Sequence, residues 1–368
     1  MVSLKFKKVP YPVIIGFEFA KVLFFVYCFL VSIDLMGIAF KTSGSHVANS
    51  LMRATSNPFI GLIIGIVVTS IIQSSSTTTS IIVTMVGAGT LTLRHAIPMI
   101  MGANIGTTVT CTIVSFGYLG RKTEFERSFS ASIVHDIFNI TATFILFPLE
   151  LSTGIIYRSA SYMVGIFEGI GGFKFISPLK LIINPVSETI AGIFGNYIFL
   201  LVFALICMFF SMSKIVENMK GIVMEKVEQM LNRYLFRNVL ISLIFGILFT
   251  SLVQSSSIAT SIIVPLVGAG LLTIEQIFPY TLGANVGTTV TAMLAALTVG
   301  QAPAVAVAFA HLLFNVFGIS LIYPFKRFPI WLAKKIARYV AASKKHFLIF
   351  LMIFILLHFI PVIFAIFS

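Results

Sequence analysis

Residues 73–112, QSSSTTTSIIVTMVGAGTLTLRHAIPMIMGANIGTTVTCT, align without a gap to residues 254–293, QSSSIATSIIVPLVGAGLLTIEQIFPYTLGANVGTTVTAM. The offset is 181 residues, and 24 of the 40 positions are identical. Two unrelated apolar segments do not match at that level, so the chain carries two copies of one unit. The match continues outward. Gly65 answers Gly246 upstream, and HDIFN at 135–139 answers HLLFN at 311–315 downstream, after a five-residue shift.

The surroundings of the repeat are apolar. The 368 residues are 58% hydrophobic and 10% charged, with a mean hydropathy of +1.04. Soluble domains carry about 25% charged residues, so there is too little polar surface to coat a water-facing globule. Runs such as Ile190–Phe210, Phe309–Tyr323 and Phe347–Phe367 approach the ~20 residues a helix needs to cross ~30 Å of hydrocarbon. The alternating ten-residue segments of a membrane barrel are absent. The expected fold is an all-α membrane protein with two inverted-topology repeats.

Each unit reads the same way. Unit 1 covers 17–150 and unit 2 covers 190–323, with a span leading in at 17–40 or 190–212. Two short apolar arms follow, 58–90 or 238–271, meeting at QSSS. Arms of about 15 residues are too short to cross, which predicts a re-entrant hairpin with a polar tip buried in protein. A helix broken at GANxGTTVT is expected next, 96–118 or 276–298, with Gly102, Gly106, Gly283 and Gly287 bending the backbone. A span at 128–150 or 302–323 closes each unit. Residues 151–189 read as an extracellular linker, 324–345 as a basic cytoplasmic segment and 346–367 as a final transmembrane helix.

With three full spans between the tips, unit 2 is inverted relative to unit 1. Six basic residues then fall on one side: Lys41, Arg53, Arg94, Arg158, Lys174 and Lys180. Lys21 lies within the first span, and the other eighteen of the 25 Lys and Arg fall opposite. The basic excess marks the cytoplasmic side, so the net charge of +13 is a topology signal and implies no nucleic-acid partner. The N-terminus is expected inside and the C-terminus outside. Lys5, Lys7 and Lys8 precede an apolar run that continues to Phe40, too long for a cleaved leader. Cys28, Cys111 and Cys207 lack metal spacing and read as packing residues.

Inverted repeats with paired interrupted helices point to a secondary transporter whose site lies at the midplane. No nucleotide-binding motif is present. No His–Asp pair is placed to activate a tip serine, so the chain does not read as an enzyme. Hydroxyls, amides and freed backbone groups can coordinate a hard cation such as Na+ and donate to an oxyanion. No Lys or Arg lies within QSSS or GANxGTT, so a bound anion needs co-bound cations, and that favours symport. Asp136 is an acid inside a span, where charge is costly and functional. Its counterpart in the second copy is Leu312, which assigns the acid to a cation site in one copy only. Glu18, Asp34 and Glu150 lie near span ends and read as interfacial.

The paired QSSS and GANxGTT motifs, VHDxFN at 134–139 and FPLE at 147–150 resemble the type II sodium-phosphate cotransporter family, here as a bacterial member, across roughly residues 17–323. The resemblance implies Na+-driven import of inorganic phosphate, HPO4(2−), into the cell across the inner membrane, with no cofactor beyond Na+ as coupling ion. It carries Gln73, Ser74, Ser75, Ser76, Gln254, Ser255, Ser256 and Ser257 over as phosphate-binding residues. Thr77, Asn104, Thr107, Thr108, Thr110, Asp136, Asn285, Thr288, Thr289 and Thr291 are the Na+ ligands it implies. Electrogenic members have Asp at the position of Asp136, which implies a three-Na+ cycle, whereas Ser130 and Ser132 match the electroneutral form. Animal members carry a large disulfide-bonded loop between the repeats, and here 151–187 is short and free of Cys. A Na+-coupled carrier of sulfate or a dicarboxylate is the alternative.

Overall fold

The computed structural model describes residues 11–172, 176–231 and 238–367. Every regular element among them is helical. Of the basic residues counted for orientation, Lys5, Lys7, Lys8, Lys174, Arg233 and Arg237 lie outside the described residues.

Unit 1 runs α1 (Tyr11–Thr42), α2 (Gly44–Ala54), α3 (Pro58–Ile72), α4 (Ser75–Gly87), α5 (Leu93–Gly106), α6 (Val109–Phe116) and α7 (Lys122–Thr153). Next come α8 (Ile155–Gly169) and α9 (Ile176–Ile193). Unit 2 runs α10 (Tyr197–Leu231), α11 (Val239–Val253), α12 (Ser256–Ser261), α13 (Ile263–Gly268), α14 (Ile274–Val299) and α15 (Ala302–Ile322). A 3-10 turn at Tyr323–Phe325 leads into α16 (Arg327–Ala342) and α17 (Lys344–Phe367).

Local chemistry repeats between the units. Asn57 caps α3 by accepting from the Phe59 amide at 2.9 Å, and Asn238 caps α11 through Leu240 at 2.8 Å. Both helices end on a glutamine in the left-handed region, Gln73 and Gln254, each with φ 59°. The next residue is the N-cap of the following helix: Ser74 Oγ accepts from the Thr77 amide, and Ser255 Oγ from that of Ile258. Two residues therefore end one helix and start the next. A non-glycine residue at positive φ is uncommon, and here it recurs at the same point of both copies.

The first arm of each pair lies against the GAN helix of its own unit, α3 on α5 and α11 on α14. The contact is backbone to backbone. A Cβ on Gly65 would sit 2.0 Å from the Met99 carbonyl oxygen, and one on Gly102 would sit 2.0 Å from that of Leu62. In unit 2 the same test gives 2.2 Å for Gly246 against Tyr280 and 2.1 Å for Gly283 against Leu243. Small residues permit this approach, through which membrane helices gain dispersion contact. The second arms cross over: α4 packs on α14 and α15, while α12 and α13 pack on α6 and α7. Each copy thus completes the other.

The structure corrects one expectation and gives two further segments their form. The GAN helix is interrupted in unit 1 alone, at Thr107–Thr108 between α5 and α6, whereas α14 runs unbroken through Gly283 and Gly287. Those glycines serve close packing rather than bending. The GTTVT sequence is common to both copies, so the difference does not lie in that motif. Residues 151–189, read as a linker, instead carry α8 and most of α9. Ile156, Ala160 and Val164 of α8 are buried, α8 packs on α15, and Ser187 of α9 donates to Asp34 of α1. Residues 324–345 form chiefly α16, an amphipathic helix. It buries Ile330, Ala333, Ala337 and Val340 and lies against α7. Its basic face pairs Lys334 with Glu275 at 2.5 Å.

Among the described residues six helices are long and apolar enough to cross a membrane: Gly16–Thr42, Leu93–Phe116, Lys122–Thr153, Tyr197–Met219, Ile274–Val299 and Ala302–Phe325. Two shorter apolar helices, Val239–Val253 and Ser256–Gly268, belong to unit 2. In unit 1, α2 and α3 meet at 100°, so the amphipathic α2, which no sequence feature announced, turns the chain sharply into the first arm. The protein is a multi-pass membrane protein.

Candidate ion-binding site

The two tips carry matching braces. Thr110 Oγ1 donates to Gln73 Oε1 at 3.1 Å, and Thr291 Oγ1 donates to Gln254 Oε1 at 2.6 Å. Each brace ties a tip to the GTTVT segment of its own unit. The tips differ in surroundings: Gln73 is exposed, and Gln254 is 9% exposed. Gln254 also donates through Nε2 to the Ser251 carbonyl at 2.5 Å.

Beyond the glutamines, Ser75 to Ser80 are all buried, as are Ser256 and Ser257. Ser74 Oγ lies 2.8 Å from Thr77 Oγ1, and Ser80 and Thr260 return their hydroxyls to the carbonyls of Ser76 and Ser256. Ser75, Ser76 and Ser256 form no side-chain hydrogen bond among the described residues. Three buried hydroxyls in the first turns of helices that begin at the tips are therefore uncommitted.

Both tips converge on α6 and the break before it. The Ser257 hydroxyl donates to the Thr107 carbonyl at 3.1 Å, at the point where the helix opens in unit 1. Cys111 Sγ lies 2.9 Å from Thr260 Oγ1, so the thiol read as packing joins α6 to the second tip. Thr110 and Cys111 are adjacent residues that face opposite tips.

A second polar layer locks the units together. Asn285 Oδ1 faces His135 Nε2 at 2.5 Å, and Asn285 Nδ2 donates to Asn139 Oδ1 at 2.7 Å. Asn139 Nδ2 donates to the Asn104 carbonyl at 2.7 Å, and its counterpart Asn315 donates to the Asn285 carbonyl at 3.2 Å. Both ends of the Asn285 amide are thus engaged in joining α7 to α14. Asn104 turns its amide back onto the Ile100 carbonyl at 2.9 Å. Because HDIFN and HLLFN sit outside the gapless block, the sequence marked His135, Asn139 and Asn315 as repeat positions without assigning them a partner.

Thr107, Thr108 and Thr289 donate to carbonyls three or four residues back, at 2.9, 3.0 and 2.6 Å, and Thr288 does the same to Asn285. Their oxygens keep acceptor capacity for a cation. Asp136 is 8% exposed, and its Oδ1 is buried without a hydrogen-bond partner. It forms no ion pair among the described residues. His135 turns to Asn285. Cys111 and Thr112 of α6 lie beside the Asp136 carboxylate. Three consecutive residues of α6 thus address the first tip, the second tip and the buried acid. The interfacial acids are tied down elsewhere: Glu18 pairs with Lys21 at 2.7 Å, and Glu150 accepts from the Ile156 amide at 2.6 Å.

The Na+/Pi-cotransporter family matches residues 28–171 and 207–358, the two halves of the repeat. Sodium-dependent phosphate transport protein 2A of Rattus norvegicus is 32% identical over 414 aligned residues, covering 90% of this chain and 65% of the relative. The 2A protein of Mus musculus is 33% identical with the same coverage. The 2B protein of Homo sapiens is 30% identical, covering 89% of this chain and 62% of the relative. The chain therefore spans somewhat less than two thirds of the length of these relatives. No solved structure matches it. With most of both repeat units inside the matched residues, the chain belongs to the Na+/Pi-cotransporter family.

Proposed function

We propose that this protein is a sodium-coupled secondary active transporter that imports inorganic phosphate, as HPO4(2−), by alternating access. The observation that carries the reading is the meeting of two serine tips on α6 in a site with no fixed cation. The phosphate would accept hydrogen bonds from Ser75, Ser76 and Ser256, with the positive end of α4 behind the first pair. A dianion buried among neutral donors costs several kcal/mol unless cations accompany it. Na+ would sit on the oxygens around Thr107, Thr108, Thr288 and Thr289, with Asp136 as the charged ligand. Neither ion is stable alone in such a site, which makes the coupling obligatory. Three Na+ with one HPO4(2−) move one net positive charge, the electrogenic cycle we assign to Asp136.

The two units would lie inverted across the bilayer, with the helix pairs as re-entrant hairpins, the first opening outside and the second to the cytoplasm. The exposed Gln73 and buried Gln254 support an arrangement with one side open and the other closed. In proteoliposomes, Ser75→Ala and Ser256→Ala should each lower phosphate uptake roughly ten- to a hundredfold, the worth of a hydrogen bond to a charged ligand. Arsenate should compete and sulfate should not. Competition by sulfate or a dicarboxylate equal to that of phosphate would reassign the substrate.

A further inference from the structure

A basic cavity lies away from the tips, where the N-terminal turn of α5 meets that of α8. Its volume is about 370 Å³, and Arg94, His95, Glu150, Tyr157 and Arg158 are among its lining residues. Arg94 lies over the Tyr157 ring, 4.7 Å from its centroid. Neither Arg94 nor Arg158 makes an ion pair among the described residues. The one carboxylate present, Glu150, accepts from the Ile156 and Tyr157 amides at 2.6 and 3.2 Å and offsets only part of the Arg94 charge beside it. His95 Nδ1 is buried without a hydrogen-bond partner.

The charge arrangement runs against what α5 prefers. A helix N-terminus carries partial positive charge and favours acidic residues in its first turn. In α5 the first turn holds Arg94 and His95, and Thr92 makes no side-chain cap bond. The aligned turn of unit 2 is conventional: Glu275 replaces Arg94, Gln276 replaces His95, and Thr273 with Gln276 closes a capping box. One copy therefore concentrates two guanidiniums, an imidazole and the uncapped N-terminus of α5 around a cavity whose single carboxylate caps α8. Such a cluster is completed by a bound oxyanion, with Arg forks donating in pairs.

We infer that this cavity is a second oxyanion site, for free phosphate or for the phosphate of a lipid headgroup, distinct from the site at the tips. It shares Arg94 and Tyr157 with a neighbouring cavity of about 660 Å³ that reaches Ala302 and Pro303 at the start of α15. Because fixed cations supply the counter-charge, binding here requires no Na+. This inference holds whether or not the tip site transports phosphate. If the tip site does so in the proposed orientation, the cavity lies on the outer face and gathers substrate before Na+ joins it.

The test is equilibrium binding of radiolabelled inorganic phosphate to the purified full-length protein in detergent, first with choline in place of Na+ and then with Na+. Wild-type protein binds phosphate in choline, and combining Arg94→Gln with Arg158→Gln weakens that binding roughly ten- to a hundredfold. The single Arg158→Gln variant, altered at an exposed position, shows a smaller loss in the same direction. A parallel arm offers phosphatidic acid against phosphatidylcholine in mixed micelles. Arginine-dependent retention of phosphatidic acid without binding of free phosphate assigns the site to a headgroup. Absence of both ligands in choline, or binding that survives both substitutions, overturns the inference. The Na+-dependent component of binding reports separately on the tip site.

Discussion

The hydroxyl of Ser257 donates to the carbonyl of Thr107 at 3.1 Å, across 150 residues of chain. This bond joins the tip of one repeat to the helix break of the other. A change at one tip is therefore transmitted to the segment that braces its counterpart, because Thr110 holds Gln73 only three residues further on. Ser257→Ala should leave the Thr107 carbonyl without this partner at a cost of about 1–3 kcal/mol. Hydrogen exchange at the amides of residues 107–112 would read the loosening. Exchange unchanged from wild type would mean that the bond does not hold the break.

The glutamine braces separate backbone from side-chain effects. Gln73 and Gln254 occupy positive φ, where glycine is better suited than any residue with a Cβ. Gln254→Gly should therefore keep thermal stability near wild type while removing the bond to Thr291. We expect uptake to fall at least tenfold. A variant with full uptake would show that the amide is a helix cap and nothing more.

The close approach of α3 to α5 makes a prediction about stability alone. Gly102→Ala places a methyl 2.0 Å from the Leu62 carbonyl oxygen, a backbone atom that cannot rotate away. Overpacking of this kind costs about 1–3 kcal/mol, and the upper end applies here. Gly165→Ala, with nothing within 4 Å, is the control and should melt like wild type. Equal melting of the two variants would contradict the packing described.

The asparagine layer predicts an order. Asn139 bonds both the Asn104 carbonyl and the Asn285 amide, whereas Asn315 makes one longer bond and leaves its Oδ1 buried without a partner. Asn139→Ala should thus destabilise the protein by about 1 kcal/mol more than Asn315→Ala, since each net hydrogen bond contributes about that much. Denaturation of the two variants under identical conditions measures the difference, and the reverse order would refute it.

Asp136 bears on charge movement. Asp136→Gly should retain part of the phosphate uptake and lose the phosphate-evoked current. Current on protein-loaded membranes, compared with tracer uptake from the same preparation, separates the two. Full current in the variant would remove Asp136 from the cation path.

Much of this architecture was legible because it is written twice. Gly65 with Gly246, Asn104 with Asn285 and the two QSSS tips stand out by self-comparison, and the arms are visible as apolar runs too short to cross. What failed to show was whatever depends on contacts between the copies. GTTVT reads identically in both, yet it breaks at Thr107, where Ser257 docks, and stays helical at Thr288. The glycines of GAN resembled hinges, since sequence cannot distinguish a residue that bends from one that admits a neighbouring backbone. Residues 151–189 looked like a connector because their apolar positions are spread around helical turns, and burial of Ile156 and Ala160 is decided by α15. Cys111 looked inert until Thr260 was found beside it.

The measurement that bears most directly on the account is uptake of radiolabelled phosphate into proteoliposomes holding the purified chain, under an inward Na+ gradient and under an equal K+ gradient. The account predicts concentrative uptake with Na+, enhanced by an inside-negative potential, and only background with K+. Uptake that is equal in the two gradients would contradict it.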